Sequence, residues 1–291
     1  MALPTSRPSD AATYEFIPEM WSKKIIDIVR RELVSINVVN TTWKEQLSKG
    51  DKVYIPVTTA MNTANVDPTS TATVSNPNTT TGTTAKTITI DYWKESTVQI
   101  DDMVKIQTQV SDLLNIMASN AAYALAKDVD TDVNGLFSSL GGYSTSAYGS
   151  DGQTFTDDIM IYLMETLDES DVPRKNRSLV IDPSVIADIY KIDKFVHLDY
   201  QKVAVIPSGN IGQIYGVPVY VTNNLTAVSS GTGNYGCLLH KDAIGLVIQQ
   251  NLSVEKWRMP AAASDAIAVR SLWGCDELRD TFGIPFYTRK I

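Results

Sequence analysis

The chain has 291 residues, 43% of them hydrophobic, and 25 Lys and Arg against 33 Asp and Glu give a formal net charge of −8. That length suits roughly two domains, and the apolar share supports a sizeable core, which excludes a disordered chain. The acidic balance excludes a protein that grips nucleic acid through a broad basic face, but not one that encloses nucleic acid behind a weakly acidic wall.

Residues 1–13 read as an extended arm punctuated by Pro4 and Pro8. The opening MALPTSRPSD has no apolar run, so no signal peptide is expected and an intracellular compartment fits. No stretch of about 18 apolar residues predicts a membrane span. In YEFIPEMWSKKIIDIVRRELVSINVV, Pro18 sits where a first helical turn accepts it. Trp21, Ile25, Ile28 and Val29 follow at helical spacing, with Lys23, Lys24, Arg30 and Arg31 largely off that face. Those four basic residues read as a solvated face. They are also the candidate inner-face contacts should any part of the chain meet nucleic acid.

GDKVYIPVT (Gly50–Thr58) is a strand by its β-branched and aromatic content. KTITIDYWKESTVQID (Lys86–Asp101) is a second strand region, with Ile88, Ile90 and Tyr92 alternating against Thr87, Thr89 and Asp91. Between them runs DPTSTATVSNPNTTTGTT (Asp67–Thr84), in which Asp67 is the sole charge between Val53 and Ala85. So long a loop argues against a pair buried within one compact domain and for a protruding two-stranded flap. A lone hairpin is marginal in water, so the flap needs another surface to rest on.

Beyond it, Ile106, Val110, Leu113, Met117, Ala121, Leu125, Val129, Val133 and Leu136 recur at three and four. They predict a spine helix of roughly 30 residues and ~45 Å, capped by Asp101 or Asp102, against which a sheet packs. The Gly/Ser-rich stretch Gly141–Thr154 marks a boundary. Short α/β units follow. TDDIMIYLMETLDESDVP reads as a capped amphipathic helix stopped before Pro173, and RSLVIDPSVIADIYKI as a strand, an Asp182 N-cap, Pro183 at the first helical position and a helix. GNIGQIYGVPVYVTNNL reads as a turn, a short helical segment and a strand. YGCLLHKDAIGLVIQQ reads as two short strands around HKDA, and LSVEKWRM with DAIAVRSLWGCDEL as a hairpin.

Reactive chemistry is sparse. His197 and His240 are the histidines and Cys237 and Cys275 the cysteines. Cys237 and His240 would serve as nucleophile and base, or as two metal ligands, but no third ligand or orienting carboxylate is evident. A disulfide between the cysteines stays open. SGNIGQIYG (Ser208–Gly216) lacks the Gly-Lys-Ser/Thr of a phosphate loop, so its glycines read as turn residues. DVDTD (Asp128–Asp132) and DESD (Asp168–Asp171) do not continue as calcium loops and read as solvated helix faces. Five Asn-x-Ser/Thr matches, at Asn40, Asn78, Asn176, Asn224 and Asn251, read as chance in an Asn/Thr-rich chain. No metal, cofactor or catalytic set emerges.

Several phrases carry a family resemblance. FIPEMWSKKI lies in the arm and KGDKVYIPV enters the flap. RSLVIDPSVIADI, IGQIYGVPVYVTNNL, LLHKDAIGLVIQQ and VRSLWGCDELRDTFGIPFY lie in the later part. In that order, nearly along the whole chain, they resemble the major capsid proteins of tailed bacteriophages, the Hong Kong ninety-seven type fold. The resemblance implies an α+β fold with an N-terminal arm (1–45), an extended E-loop (46–97), and a peripheral domain with its spine helix (98–154). An axial domain (155–249) and a peripheral-domain hairpin with the C-terminal return (250–291) complete it.

It also implies a non-enzymatic shell protein that forms hexamers and pentamers around double-stranded DNA, in a virion assembled in the bacterial cytoplasm. The Thr-rich stretch would lie across an adjacent subunit. Inter-subunit contacts are then expected from Tyr14, Phe16, Trp21, Asp67, Thr79, Thr81, Tyr92 and Trp93. Portal, decoration and scaffolding proteins would be partners, the scaffold a separate protein because Met1 leads straight into the arm. Some relatives cross-link through a flap lysine; here none lies between Val53 and Ala85, so no cross-link is expected. The same architecture builds bacterial encapsulating nanocompartments, which is the alternative. An enzyme with an unseen site and a surface adhesin with a Thr-rich stalk are the readings from other classes.

Overall fold

The computed structural model describes residues 33–45, 50–57, 84–107, 113–141, 147–192, 212–228 and 231–289. A single-turn helix, α1 (Ser35–Val38), precedes two paired strands, β1 (Lys52–Val57) and β2 (Thr84–Thr89), then β3 (Tyr92–Asp101). Helices α2 (Asp102–Gln107), α3 (Leu113–Gly135) and α4 (Asp157–Glu169) follow, then β4 (Arg177–Ile181) and α5 (Pro183–Ile189). The remaining strands are β5 (Gln213–Ile214), β6 (Val217–Val221), β7 (Tyr235–His240), β8 (Ile244–Met259), β9 (Ser264–Glu277) and β10 (Gly283–Tyr287).

These strands form three sheets: β1-β2, a five-stranded sheet in the order β10-β7-β4-β6-β5, and a three-stranded sheet in the order β3-β9-β8. The five-stranded sheet is mixed, with β4 parallel to β6 and antiparallel to β7. β4 sits at its centre with all five residues buried, as a strand covered on both faces must be. Alternation divides its side chains between two cores. Leu179 and Ile181 join Leu238, Ile284 and Phe286 under α4 and α5. Val180, Cys237 and Leu239 face the other way, into a core shared with Val129 and Val133 of α3 and with Ile267, Val269 and Trp273 of β9. The spine helix therefore ties the two larger sheets together through one apolar layer.

The expected helix α5 forms as its local signals require: the Asp182 carboxylate accepts from Ser184 N–H at 3.0 Å and Pro183 occupies the first turn. The expected hairpin β8-β9 also forms, registered from Ile244↔Glu277 to Met259↔Ser264.

Three local expectations change. The strand region Lys86–Asp101 is two strands, because the chain changes partners at Ile90–Asp91: β2 pairs with β1, and β3 pairs with β9. Asp101 ends β3 directly before α2, and the expected spine pattern is described as α2 and the 23-residue α3, with residues 108–112 outside the described residues. β7 and the 16-residue β8, expected as neighbouring short strands, belong to different sheets, so HKDA is the crossover between layers. Within the described part of GNIGQIYG there is no helical segment: Tyr215 (φ 49°) and Gly216 (φ 82°) form the two-residue turn of the β5-β6 hairpin. Positive φ at both central positions is the turn whose twist suits a hairpin.

α4 stops before Pro173, as expected. It ends at Glu169, and Asp171 (φ 55°) turns the chain so that the Val172 and Pro173 carbonyls face the buried Arg177 guanidinium, at 2.6 and 3.1 Å.

Candidate assembly surfaces

The flap root is fixed before any neighbour is considered. Val53, Ile88 and Ile90 pack with Val247 and Leu278 in a small core of their own. Ile90 N–H donates to Asp51 C=O at 2.8 Å, and Gly274 of β9 lies where any Cβ would collide with the Thr89 carbonyl. Glycine at 274 is thus what lets the flap backbone lie directly on the β9 strand. From this root β1 and β2 extend outward with Tyr54 exposed.

Tyr92 and Trp93, adjacent in β3, point to opposite faces. Tyr92 is half-buried and stacks on Trp273 within its own chain, centroids 6.1 Å apart at 15°. Burial and nearby acidic groups raise its phenol pKa. The Lys94 ammonium lies 5.3 Å from the Trp273 ring and 3.1 Å from Asp132, whose carboxylate also accepts from Trp273 Nε1–H at 3.1 Å. Trp93 stands on the outer face, 73% exposed. Across that face Arg270 is held between two carboxylates, Glu95 on β3 at 2.9 Å and Glu255 on β8 at 2.8 Å. Ala266 and Ala268, small residues of the middle strand, are buried beneath their neighbours. An open, partly aromatic sheet face of this kind is what a partner covers.

The remaining sequence candidates lie outside the described residues: Tyr14, Phe16, Trp21, Lys23, Lys24, Arg30 and Arg31 of the arm, and Asp67, Thr79 and Thr81 of the loop.

Neither acidic run is merely a solvated face. Asp130, 2% exposed, accepts from Val34 N–H (3.1 Å), Ser35 N–H (2.9 Å), Asn134 Nδ2 (3.1 Å) and Asn224 Nδ2 (2.9 Å). It pins the start of α1 and the 222–228 segment onto the spine helix. Asp168 binds Arg174 at 2.7 Å and the buried Arg177 at 2.6 Å; Arg174 first, then Arg177, hold its carboxyl below the usual range.

The Cys–His reading fails on geometry. Cys237 and His240 are three apart on one strand and point to opposite faces. Burial raises the Cys237 thiol pKa and lowers that of His240, whose Nδ1 accepts from Asp242 N–H at 3.1 Å. Cys237 and Cys275 are both free and buried, so they do not pair. Among the described residues no cluster of His, Cys, Asp and Glu is arranged to hold a metal. An open groove of about 620 Å³ on α4, lined by Ile161, Met164, Glu165, Asp168, Glu169 and Tyr215, brings no nucleophile to a base.

No protein-family model matches the chain, and no curated protein does. Solved structures do. A chain from Mycobacterium phage Che8 is 24% identical, with a TM-score of 0.78 over 93% of this chain and 97% of that one. A capsid structure of the cyanophage P-SCSP1u is 16% identical, with a TM-score of 0.71 over 99% of this chain and 100% of that one. The capsid of an empty GTA particle is 14% identical, with a TM-score of 0.71 over the same shares. The chain has the fold of a phage capsid subunit. At these identities residue chemistry has largely diverged, so the match speaks for backbone path and length rather than for side-chain roles.

Proposed function

We propose that this chain is a major capsid protein, a subunit that assembles into the icosahedral shell of a tailed phage around its double-stranded DNA. The observation that carries the reading is end-to-end agreement with capsid structures, with nearly all of both chains aligned. Residues 1–45 act as arm, 46–97 as E-loop, 98–154 and 250–291 as peripheral domain, and 155–249 as axial domain. β8 runs unbroken through positions 249 and 250, so the last two units share a strand.

In the shell, subunits group into hexamers and pentamers. The Thr-rich stretch 67–84 lies on a neighbour's outer sheet face, beside Trp93 and Arg270. A loop that meets differently curved surroundings is better served by backbone and hydroxyl hydrogen bonds than by ion pairs, whose strength depends on fixed geometry. Lys23, Lys24, Arg30 and Arg31 face the DNA. A scaffolding protein, a portal and a decoration protein complete the assembly, which forms in the bacterial cytoplasm and ends in the virion.

Negative-stain electron microscopy of purified native material, with its 260/280 nm absorbance ratio, tests the reading. Uniform icosahedral shells rich in nucleic acid are expected. Shells filled with protein and free of nucleic acid would identify a nanocompartment instead, and a small oligomer under all conditions would end both readings.

A further inference from the structure

The HKDA crossover, residues 240–243, carries the chain from the five-stranded sheet into the three-stranded one, and a single carboxylate fastens it to a distant part of the sequence. Asp242 accepts from Asn40 Nδ2 at 2.5 Å. Asn40 is also where the segment leading from α1 towards the flap is tied down. Its N–H donates to Ile244 C=O at 3.0 Å, and its C=O accepts from Leu246 N–H at 2.9 Å. Its Oδ1 accepts from Thr42 N–H at 3.0 Å and from the Thr42 hydroxyl. Trp43 then packs on the small core of the flap root. Asn40 thus joins the arm root and the flap root to the crossover.

Beside the Asp242 carboxylate sits His240, 5% exposed. Its surroundings suit a neutral ring. Nδ1 accepts from Asp242 N–H at 3.1 Å, and the Asp242 carboxylate stands 3.7 Å from the same nitrogen, about 1 Å beyond a charge-assisted hydrogen bond. Two cations face the ring. Arg177 is its register partner on β4, itself matched by Asp168. Arg279 lies 4.8 Å from the Phe282 ring, whose edge meets the imidazole at 5.4 Å. The Asp242 carboxylate and the Lys175 carbonyl favour a charged ring. Residues 136–139 and β10, which also pack against β7, bring no charged side chain. Burial first, then Arg177 and Arg279, hold the imidazole pKa below its ordinary value. The ring is therefore neutral at pH 7 and takes a proton only below about pH 6.5.

A proton on Nδ1 replaces an acceptor with a donor, so Asp242 N–H then faces another N–H. The turn has to shift to relieve this, and its carboxylate moves onto the imidazolium. Closing that gap of about 1 Å takes the carboxylate out of hydrogen-bond reach of Asn40.

We propose that His240, Asp242 and Asn40 form an acid-released latch, in which protonation of His240 transfers the Asp242 carboxylate from Asn40 to the ring and frees the 40–43 segment from the crossover. Its two arrangements make the kind of bistable element that a titrating histidine biases. The latch stands apart from the shell reading. Its consequence for assembly, that arm and flap shift together on acidification, rests on that reading.

Amide hydrogen exchange of the full chain, stepped from pH 7.5 to pH 5.0 and corrected for the intrinsic pH dependence of exchange, tests the latch. Protection at Asn40, Thr42 and Leu246 is expected to fall by about fivefold or more, while residues 254–269 of the β8-β9 hairpin keep theirs. His240→Asn retains an acceptor for Asp242 N–H but binds no proton, so it should hold protection constant with pH. Asn40→Ala should show the low protection of Thr42 and Leu246 at both ends of the range. Equal wild-type protection at the two pH values would overturn the latch, and so would the same fall in His240→Asn as in the wild type. The wild type alone gives a further check that needs no variant to fold: the midpoint of the fall must coincide with the titration of a histidine ring followed by NMR, and a mismatch would overturn the role of His240. Failure of the chain to form shells would remove the shell reading and leave this test unchanged.

Discussion

Asp130→Ala removes the acceptor at the one place where arm root, spine helix and the 222–228 segment converge. Four donors point at that carboxylate, and all belong to buried groups: the amides of Val34 and Ser35 and the side-chain amides of Asn134 and Asn224. The two asparagines have other acceptors, Asn224 C=O at 3.0 Å for Asn134 and Thr131 Oγ1 at 2.9 Å for Asn224, so their loss is partial. The two backbone amides have the Asp130 carboxylate as acceptor, and each stranded amide costs about 1–3 kcal/mol. Adding the loss of charge-assisted strength, the expected destabilisation is about 3–6 kcal/mol. For a chain of this size that corresponds to a fall in Tm on the order of 10 °C. Asp128→Ala is the internal control. It lies one helical step away, is half exposed, and sits 3.6 Å from Lys94, so its loss should stay under about 0.5 kcal/mol. The assay is urea unfolding of the unassembled subunit, with Cm and m recorded for both variants and the wild type. A loss below about 1 kcal/mol for Asp130→Ala, or equal losses for the two variants, would show that water or a shifted backbone satisfies those amides and that Asp130 is not the pin.

Other outcomes follow from the same geometry. Neither thiol should react with a disulfide reagent at pH 8 in the folded subunit, since burial raises the Cys237 pKa and pushes that of Cys275 up to about 12; rapid labelling of either would contradict their placement. Arg177→Met breaks a pair whose guanidinium is buried and leaves the Val172 and Pro173 carbonyls without it, so unfolding should come about 3 kcal/mol sooner in denaturant titration. Asp168 has a depressed folded pKa, so its stabilising effect is complete above the ordinary carboxylate range and lost as pH falls through the lower folded value. Asp168→Asn should therefore flatten the fall in stability below about pH 4, and an unchanged slope would refute the assignment. Assembled particles boiled under reducing conditions should run as a single monomer band, because the flap between Val53 and Ala85 holds no lysine to cross-link; a ladder would refute this.

What was legible in the sequence was what neighbouring residues decide. Asp182 and Pro183 announce α5 because capping and first-turn geometry are settled within three residues. The misreadings are all non-local. Asp130 looks like a member of a solvated acidic run until Val34 and Asn224, more than ninety positions away on either side, are brought against it. Gly274 reads as an ordinary strand residue, and only the passing Thr89 backbone explains it. The split between β2 and β3 is invisible because both halves alternate with period two, and alternation does not say which partner a strand chooses. The turn at Tyr215–Gly216 lacked the Asn-Gly or Asp-Gly pair that announces such hairpins. For the assembly surfaces, the flap strands and Trp93 were visible in the pattern. The exposure of Ile106 was not, because it fits the helical period of a buried spine equally well.

The distribution of charge then explains why this molecule needs the surfaces it has. Among the described residues several long cations are engaged within the subunit: Lys94 with Asp128 and Asp132, Arg270 between Glu95 and Glu255, Arg258 and Lys105 with Asp102 and Asp265, and Arg289 with the buried Asp188. Ion pairs closed inside one copy do not change when that copy meets neighbours at a different angle, whereas pairs reaching across a joint would strengthen or break with every change of curvature. A subunit that must occupy several environments is therefore better built with its charges matched internally and its joints made of apolar contacts and hydroxyl-rich loops. Trp93 and Ile106, at opposite ends of the three-stranded sheet, are where that arrangement leaves apolar surface showing, and the Thr-rich stretch is the kind of chain that can lie on such surface without demanding a fixed partner.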